Sequence, residues 1–159
     1  MNSKICDLLG IEFPLFAFSH CRDVIAEVSN AGGFGVLGAA GHTPETLDIE
    51  LTWIDEHVNG KPYGVDLLVP TSMDNKDQGL SKEELEDRIP TEHKRYIEGL
   101  LAQHDIDTGD LWTGVIRGGV GDNMRQAGAT EILESAFAHP VKMVVNALGV
   151  PPTYMMSMA

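Results

Sequence analysis

Three glycines between two predicted elements have the spacing of a nucleotide-binding loop. Gly33, Gly35 and Gly38 match G-x-G-x-x-G, which binds a pyrophosphate where it follows a strand and opens a helix. Here the glycines precede or lie within an apolar run, residues 34–39, and the next helix starts only at Thr43. That order argues against a dinucleotide loop. Two interpretations remain: glycines that end a helix and let a strand pack tightly, or glycines that make room for a flat cofactor at a barrel mouth.

Four polar side chains in or after predicted strands could act on a ligand. His20 follows the first predicted strand, where barrel enzymes build their active sites, and His42 follows the second but neighbours a helix cap. Asp66 lies inside the third strand, where an unpaired charge is costly, so we favour a functional role for it. Asn146 in the fourth strand is either a ligand contact or a hydrogen-bonded core amide.

The remaining polar residues give weaker signals. Arg117 lies in a glycine-rich run and could bind an anion, although a solvated loop arginine is the simpler interpretation. Ser19 and Cys21 flank His20, and adjacent residues cannot supply the geometry of a nucleophile and its base. No histidine has metal-binding spacing. Four histidines fall on predicted helices or their ends, where solvated or helix-terminal roles are expected: His57, His93, His104 and His139.

Composition narrows the class of protein. The chain has 159 residues, of which 43% are hydrophobic and 22% charged, enough for one domain with a core. The net charge of −13 opposes phosphate backbones, so we expect no nucleic-acid partner. We also expect no membrane association, because no apolar run has the length of a span. Cys6 and Cys21 are isolated, which favours a cytoplasmic location.

Strands and helices alternate along the chain. Short apolar runs predict four strands, at residues 13–18, 34–39, 63–69 and 142–148. Repeated strand–helix units imply right-handed crossovers and a parallel sheet. Two α/β architectures fit, an open doubly wound sheet or part of a (βα)8 barrel, which typically needs about 250 residues.

Helical patterns lie between these strands. Ser19 or Asp23 can cap a helix whose apolar stripe is Val24, Ile25, Val28 and Ala31. Thr43 at the N-cap and Pro44 at the first position start a longer helix with one core face. That face consists of Leu47, Leu51, Ile54 and Val58. A last helix before the fourth strand buries Ile132, Leu133, Ala136 and Phe137, and Tyr154 can begin another.

A long insertion interrupts the pattern after the third strand, at about residues 71–121. It holds a capping box, Ser81 to Glu84, and a helix that Thr91 caps. That helix carries Tyr96, Ile97, Leu100 and Leu101. A loop with Trp112 and the Arg117 run follows, and an insertion of this length is often a lid. We therefore predict one domain over 1–159, about half a (βα)8 barrel, with this insertion.

The N-terminal part holds three distinctive stretches: residues 5–14 (ICDLLGIEFP), 29–39 (SNAGGFGVLGA) and 61–68 (KPYGVDLL). Together they resemble the N-terminal half of the nitronate monooxygenase family, formerly called 2-nitropropane dioxygenase. The resemblance covers most of residues 4–70 and returns at 142–152. It implies parallel (βα) units of a TIM barrel that binds FMN at the carboxyl ends of its strands. It also implies that alkyl nitronates, or a related small substrate, are oxidised with dioxygen through reduced flavin.

The resemblance also implies site residues. The family's flavin-facing Ala-Pro-Met segment matches Ala17, Phe18 and Ser19, and a flavin-contacting Asn matches Asp66. A carboxylate there would disfavour an anionic reduced flavin, which suggests a divergent subgroup. The predicted cofactor-binding residues are Ala17, Phe18, Ser19, Gly35, Asp66 and Asn146. The family's catalytic His and its phosphate loops lie beyond the fourth strand, so the base is unassigned and His20 is the candidate here.

Two functions follow from these observations. The first is an FMN-dependent oxidoreductase of the nitronate monooxygenase type, here a truncated half that is inactive alone. The second is a non-catalytic half-barrel fragment or interaction module that associates through its exposed strand edges. Two copies joined at those edges could close an eight-strand barrel as a homodimer.

Overall fold

A computed structural model describes residues 3–70, 87–109, 111 and 123–159. The described residues fall in two compact units, one holding 3–70 and 123–159 and the other holding 87–109 and 111. The first unit contains four strands: β1 (Phe16–Ser19), β2 (Phe34–Gly38), β3 (Tyr63–Leu67) and β4 (Met143–Asn146). It also contains five helices: α1 (Lys4–Leu9), α2 (Arg22–Asn30), α3 (Pro44–His57), α5 (Gln126–Phe137) and α6 (Thr153–Met158). The second unit contains α4 (Thr91–Ala102).

The strands form one parallel sheet in the order β1-β2-β3-β4. Each strand therefore pairs with its predecessor in the chain, whereas a doubly wound sheet reverses its strand order. Helices α2, α3 and α5 all contribute to a single core on one face of the sheet. This arrangement is that of consecutive (βα) units of a TIM barrel, about half of one, as predicted from the sequence.

Alternate residues of each strand point to opposite faces of the sheet. We call the face covered by α2, α3 and α5 the helix face, and the opposite one the inner face. On the helix face, Leu37, Val65 and Leu67 are fully buried against the helices. The inner face carries Val36 and Asp66.

The first helix covers the amino-terminal end of the inner face. Cys6 and Leu9 of α1 pack with Phe34 and Val36 of β2 in a second, smaller core. Ser3 caps α1, and Gly10 ends it in the left-handed conformation (φ 73°) that favours glycine.

The third helix agrees with the prediction. The Thr43 side chain accepts a hydrogen bond from the Thr46 backbone N–H, and the Thr46 hydroxyl accepts one from Thr43, closing a capping box. Pro44 is the first residue of α3. All four residues of the predicted core face are buried: Leu47, Leu51, Ile54 and Val58.

The boundaries of all four strands were wrong by one to three residues. β1 starts at Phe16 rather than residue 13, because Pro14 lacks an N–H and Leu15 instead donates to the Phe13 carbonyl. β2 ends at Gly38, one residue early, and β4 spans Met143–Asn146 only. β3 ends at Leu67 because the backbone of Val69 bonds the Asn146 side chain instead of a strand.

The buried stripe of α2 was predicted correctly at Ile25 but wrongly at Val24 and Ala31, which are exposed. Its buried members are Ile25, Ala26 and Ser29, whereas Val24 is 40% exposed. The N-cap is Cys21, not Ser19 or Asp23. Ser29 lies on the buried face of α2 because its hydroxyl donates to the Pro62 carbonyl and accepts from the Gly35 N–H. These two hydrogen bonds satisfy polar groups within the core.

Two further helix predictions need correction. Phe137 of α5 is 38% exposed, although Ile132, Leu133 and Ala136 are buried as predicted. In α4 the N-cap is Pro90 rather than Thr91, and no residue of the helix is buried. Three insertion predictions lie outside the described residues: the Ser81–Glu84 capping box, Trp112 and Arg117.

Candidate functional site

A concave cavity of about 520 Å³ opens on the inner face of the sheet. Six of its seven lining residues are apolar, and no basic side chain is among these described residues. The lining consists of Phe16, Phe18, Val36, Asp66, Met143, Val145 and Ala147. Such a surface suits a flat apolar ligand that one polar group orients.

Asp66 is the single polar residue of this lining. It is only 6% exposed, and its Oδ1 atom is buried without a hydrogen-bond partner among the residues that the structure describes. Burial raises the pKa of the carboxyl group, while the Ala147 backbone N–H and the nearby His20 act in the opposite direction. A buried polar atom without a partner is rare, so this oxygen is the strongest indication that a ligand group belongs here.

His20 lies one residue beyond β1, at the carboxyl end of the sheet. Its imidazole contacts the Phe18 ring edge-on, with the ring centroids 5.1 Å apart. A Cβ atom placed on Gly38 would lie 2.6 Å from the Nδ1 and Cε1 atoms of His20. The imidazole therefore occupies the space that a side chain at position 38 would need.

His42, in the loop after β2, lies within electrostatic range of this group. Burial lowers the pKa of His42; the negative charge of Glu50 raises it, and His20 lowers it further. Nδ1 of His42 lies 3.3 Å from the Thr46 hydroxyl oxygen. The structure thus brings together His20, His42 and Asp66, which the sequence had placed only after or within separate strands.

Sequence reasoning missed Asn123. It is 5% exposed, and its amide donates to the carbonyls of Ala40 (2.9 Å) and His42 (2.8 Å). These bonds fix the loop that carries His42. No local sequence pattern predicts these hydrogen bonds, since the partners are about eighty residues apart in sequence.

Phe18 and Asp66 are the predicted cofactor-binding residues that line the cavity. Ala17 and Ser19 alternate with Phe18 and therefore point to the helix face. The Ser19 hydroxyl accepts a hydrogen bond from the Cys21 backbone N–H (3.0 Å), which shapes the turn into α2.

Gly35 also faces the helices rather than the cavity. A Cβ atom there would lie 2.5 Å from the Ile25 carbonyl oxygen and 2.8 Å from the Ile25 Cα. The missing side chain lets α2 pack closely on β2, which is the first of the two interpretations of the glycines. The prediction that this glycine makes room for a flat cofactor is therefore not how the structure uses it.

The Asn146 amide is committed to the backbone. Its nitrogen donates to the carbonyls of Val69 (2.9 Å) and Gly149 (3.2 Å), and its oxygen accepts from the Val69 N–H (2.9 Å). Asn146 thus joins the end of β3 to the loop after β4, the structural alternative left open by the sequence.

His139 serves packing on the opposite side of the sheet. Its side chain is 9% exposed, with Nδ1 2.7 Å from an Asp55 oxygen and Nε2 3.1 Å from Asp48. Tyr63 donates a 2.6 Å hydrogen bond to the other Asp55 oxygen. Of the two expected roles, solvated or helix-terminal, the structure agrees with the second, since His139 is largely buried and lies just beyond the α5 C-cap Ala138.

Two negative findings apply to the part of the chain that the structure describes. No group of three or more histidine, cysteine or acidic side chains there is arranged to hold a metal ion. No helix there is long and apolar enough to cross a membrane.

The comparisons with known proteins agree with this fold. The chain is 44% identical over 154 residues to the "Putative monooxygenase Rv1533" of Mycobacterium tuberculosis, covering 96% of this chain and 40% of that protein. It is 33% identical over 75 residues to the "Probable nitronate monooxygenase" of Staphylococcus saprophyticus, covering 45% of this chain and 21% of that one. A crystal structure of nitroalkane oxidase from Streptomyces ansochromogenes superposes with a TM-score of 0.57 at 22% identity.

That superposition covers 98% of this chain and 39% of the oxidase, so it bears on the fold. The chain thus spans about two-fifths of the length of the Mycobacterium protein and of the oxidase. The family model for nitronate monooxygenase matches residues 2–148. The chain belongs to the nitronate monooxygenase family.

Proposed function

We propose that this chain is the amino-terminal half of an FMN-dependent oxidoreductase of the nitronate monooxygenase type. The observation that carries the proposal is the partnerless Asp66 oxygen inside an apolar cavity. Family membership supplies the reaction class, oxidation of an alkyl nitronate or a related small substrate with dioxygen.

The described residues fit the ring system of FMN. Phe18, Val36 and Val145 offer apolar contact to a flat ring, and Asp66 offers one hydrogen bond at its edge. When bound, FMN would accept electrons from the substrate and pass them to dioxygen. The described residues of the cavity lining include no cationic side chain for the phosphate, and the resemblance puts the family's phosphate loops beyond the fourth strand.

The residues of this chain would orient the ring and exclude water from one side of it. Asp66 can accept a hydrogen bond from a ring N–H when ionised, or donate one to a ring oxygen or nitrogen when protonated. His20 is the described titratable side chain whose charge acts on Asp66. We expect no turnover by the chain alone, because the family's catalytic base is not among these residues.

Flavin titration tests the proposal. Adding the 159-residue chain to FMN should shift the visible absorbance of the flavin and quench its fluorescence, and riboflavin should behave similarly because no phosphate site is involved. Asp66→Ala should weaken binding, whereas Asp7→Ala, on the exposed surface of α1, should not. A flavin spectrum that never changes with added protein would refute the proposal.

Oxygen consumption tests the expected inactivity. The flavin-loaded chain should consume no oxygen when an alkyl nitronate is added. Steady consumption that His20→Ala abolishes would contradict the expectation and identify His20 as the base.

A second candidate function is a non-catalytic half-barrel that associates through its strand edges. Among the described residues, β1 and β4 each pair on one side only, and Phe16 and Phe18 of β1 are 44% and 56% exposed. An unpaired edge beside apolar side chains is a template for pairing with another chain. Stable association without flavin binding would favour this candidate. For either function we propose a cytoplasmic location, since the sequence has two isolated cysteines and lacks the cysteine pattern of a disulfide framework.

A further inference from the structure

We propose that His20, held in the space beside Gly38, is a positioning residue that controls the charge of the Asp66 carboxyl group toward a ligand in the cavity. The inference deepens the proposed function and rests on it in one respect, that the ligand is a flavin. The placement of His20 beside Gly38 and Asp66, and its effect on the Asp66 charge, do not depend on the flavin.

The first support is the position of Gly38. It pairs directly with Asp66 across β2 and β3, so both residues point to the inner face at the same level. The His20 imidazole lies over Gly38, 2.6 Å from where a Cβ would stand. His20 is therefore placed beside the strand that carries Asp66, one strand spacing away.

The second support is the state of Asp66 itself. Within the described part of the chain, one carboxyl oxygen has no partner although the residue is 94% covered, while a hydrogen bond from the Ala147 backbone N–H favours the ionised form. A nearby positive charge also favours the ionised form, although less than that hydrogen bond does. His20 is the described side chain that exerts this electrostatic influence on Asp66.

Of the described titratable groups on the neighbouring elements, His20 is the one that acts electrostatically on Asp66. Among the described residues, the turn after β1 contributes His20, and the loop after β2 contributes His42, which interacts with His20 and with Glu50 of α3. The cavity-lining residues of β4 and its exit are Met143, Val145 and Ala147, none of which titrates.

The consequence concerns which edge of a ligand Asp66 can bind. An ionised carboxyl group only accepts hydrogen bonds, so it selects an N–H group; a protonated one also donates, so it tolerates a carbonyl oxygen or a bare ring nitrogen. By favouring the ionised form, His20 would bias the cavity toward a ligand that presents an N–H group.

Carboxyl-carbon NMR of the 159-residue chain without flavin tests the inference. His20→Gln removes the charge at an exposed position and should raise the pKa of Asp66. Gly38→Ala keeps the histidine but displaces its ring, and should shift the pKa in the same direction. His20→Lys restores a cation and should return the pKa toward that of the unmodified chain.

His57→Gln is the matched control, because that imidazole stacks on Trp53 at a centroid distance of 3.7 Å on α3. It should leave the Asp66 titration unchanged. Amide spectra of each variant confirm that it is folded. An Asp66 titration that is identical in His20→Gln and the unmodified chain would overturn the inference. A change in His20→Gln but none in Gly38→Ala would overturn the part assigned to Gly38.

Flavin binding separates this inference from the proposed function. If FMN binds to the chain with Asp66 ionised, FMN binding should weaken as the pH is lowered and Asp66 takes up a proton. In His20→Gln this loss of FMN binding should occur at a higher pH than in the unmodified chain. Failure of FMN to bind, together with a shifted Asp66 titration, would refute the proposed function and leave the His20–Asp66 relation standing.

Discussion

Gly35 of β2 lies against the backbone of Ile25 in α2, so closely that a Cβ atom on Gly35 would stand 2.5 Å from the Ile25 carbonyl oxygen. Backbone atoms in a packed helix cannot move away as a flexible side chain can. The close contact of α2 with β2 therefore depends on the absence of a side chain at this one position.

Gly35→Ala should destabilise the fold by about 1–3 kcal/mol, the usual cost of forcing extra atoms into a packed core. Urea unfolding followed by circular dichroism measures the change. Gly41→Ala is the control, since a Cβ there meets nothing within 4 Å, and it should be nearly neutral. Equal stability of the two variants would contradict the packing of α2 on β2 described above.

Leu51→Ala should lower the free energy of unfolding by roughly 2–5 kcal/mol, because the side chain is fully buried in the core of the helix face. The same helix offers a control in Ile49, which is 60% exposed, and Ile49→Ala should cost under about 0.5 kcal/mol. Denaturant melts of both variants measure the difference. A loss well under 1 kcal/mol for Leu51→Ala would show that this face of α3 is not core.

Asp66→Asn should make the fold more stable at neutral pH and remove part of its pH dependence. Burial raises the pKa of Asp66 above its ordinary value of 3.8, so the folded chain holds this proton more tightly than the unfolded chain does. The stabilisation is complete below 3.8 and is lost as the pH rises through the folded-state pKa. An amide of the same shape never ionises and avoids that loss.

Urea melts of both chains at several pH values check this prediction. The two stabilities should approach each other at acidic pH and diverge as the pH rises, with the Asn variant the more stable. A divergence of the opposite sign would mean that Asp66 is held in its ionised form by a partner outside the described residues.

Association through the strand edges should make the purified chain a dimer, in which β4 of each copy pairs with β1 of the other. Light scattering at micromolar concentration measures the mass. Phe16→Lys, which adds a charge on the exposed edge strand, should favour the monomer, whereas Phe137→Lys on α5 should not. A mass of 17.3 kDa with a cooperative melt would refute this association.

The elements that the sequence predicted best are those specified by neighbours along the chain. For α3, the cap, the proline and the spacing of the apolar residues all act within one helix, and the structure agrees with each. The parallel strand order also followed from the alternation of elements, since right-handed crossovers leave few arrangements.

The errors concern contacts between distant segments. The sequence could not show which face of β2 Gly35 occupies, because that depends on where α2 crosses the sheet. Nor could it show that Asn146 bonds to Val69, 77 residues away, or that Asn123 bonds to Ala40. Strand position alone was enough to indicate that Phe18 and Asp66 lie at the cavity, and their role in binding a cofactor stays a prediction.

The amide bonds of Asn123 and Asn146 have a consequence for how this family can diversify. Asn146 holds Val69, where the chain leaves the sheet, and Asn123 holds Ala40 and His42, where the chain has returned. The hydrogen bonds of Asn146 and Asn123 therefore hold the chain where it leaves the sheet and where it rejoins it, whichever residues lie between positions 70 and 123. Since doubling the length of a connecting segment costs only about 0.6 kcal/mol in closure entropy, such a segment could be exchanged or lengthened during evolution while the strand register beneath the cavity stayed the same.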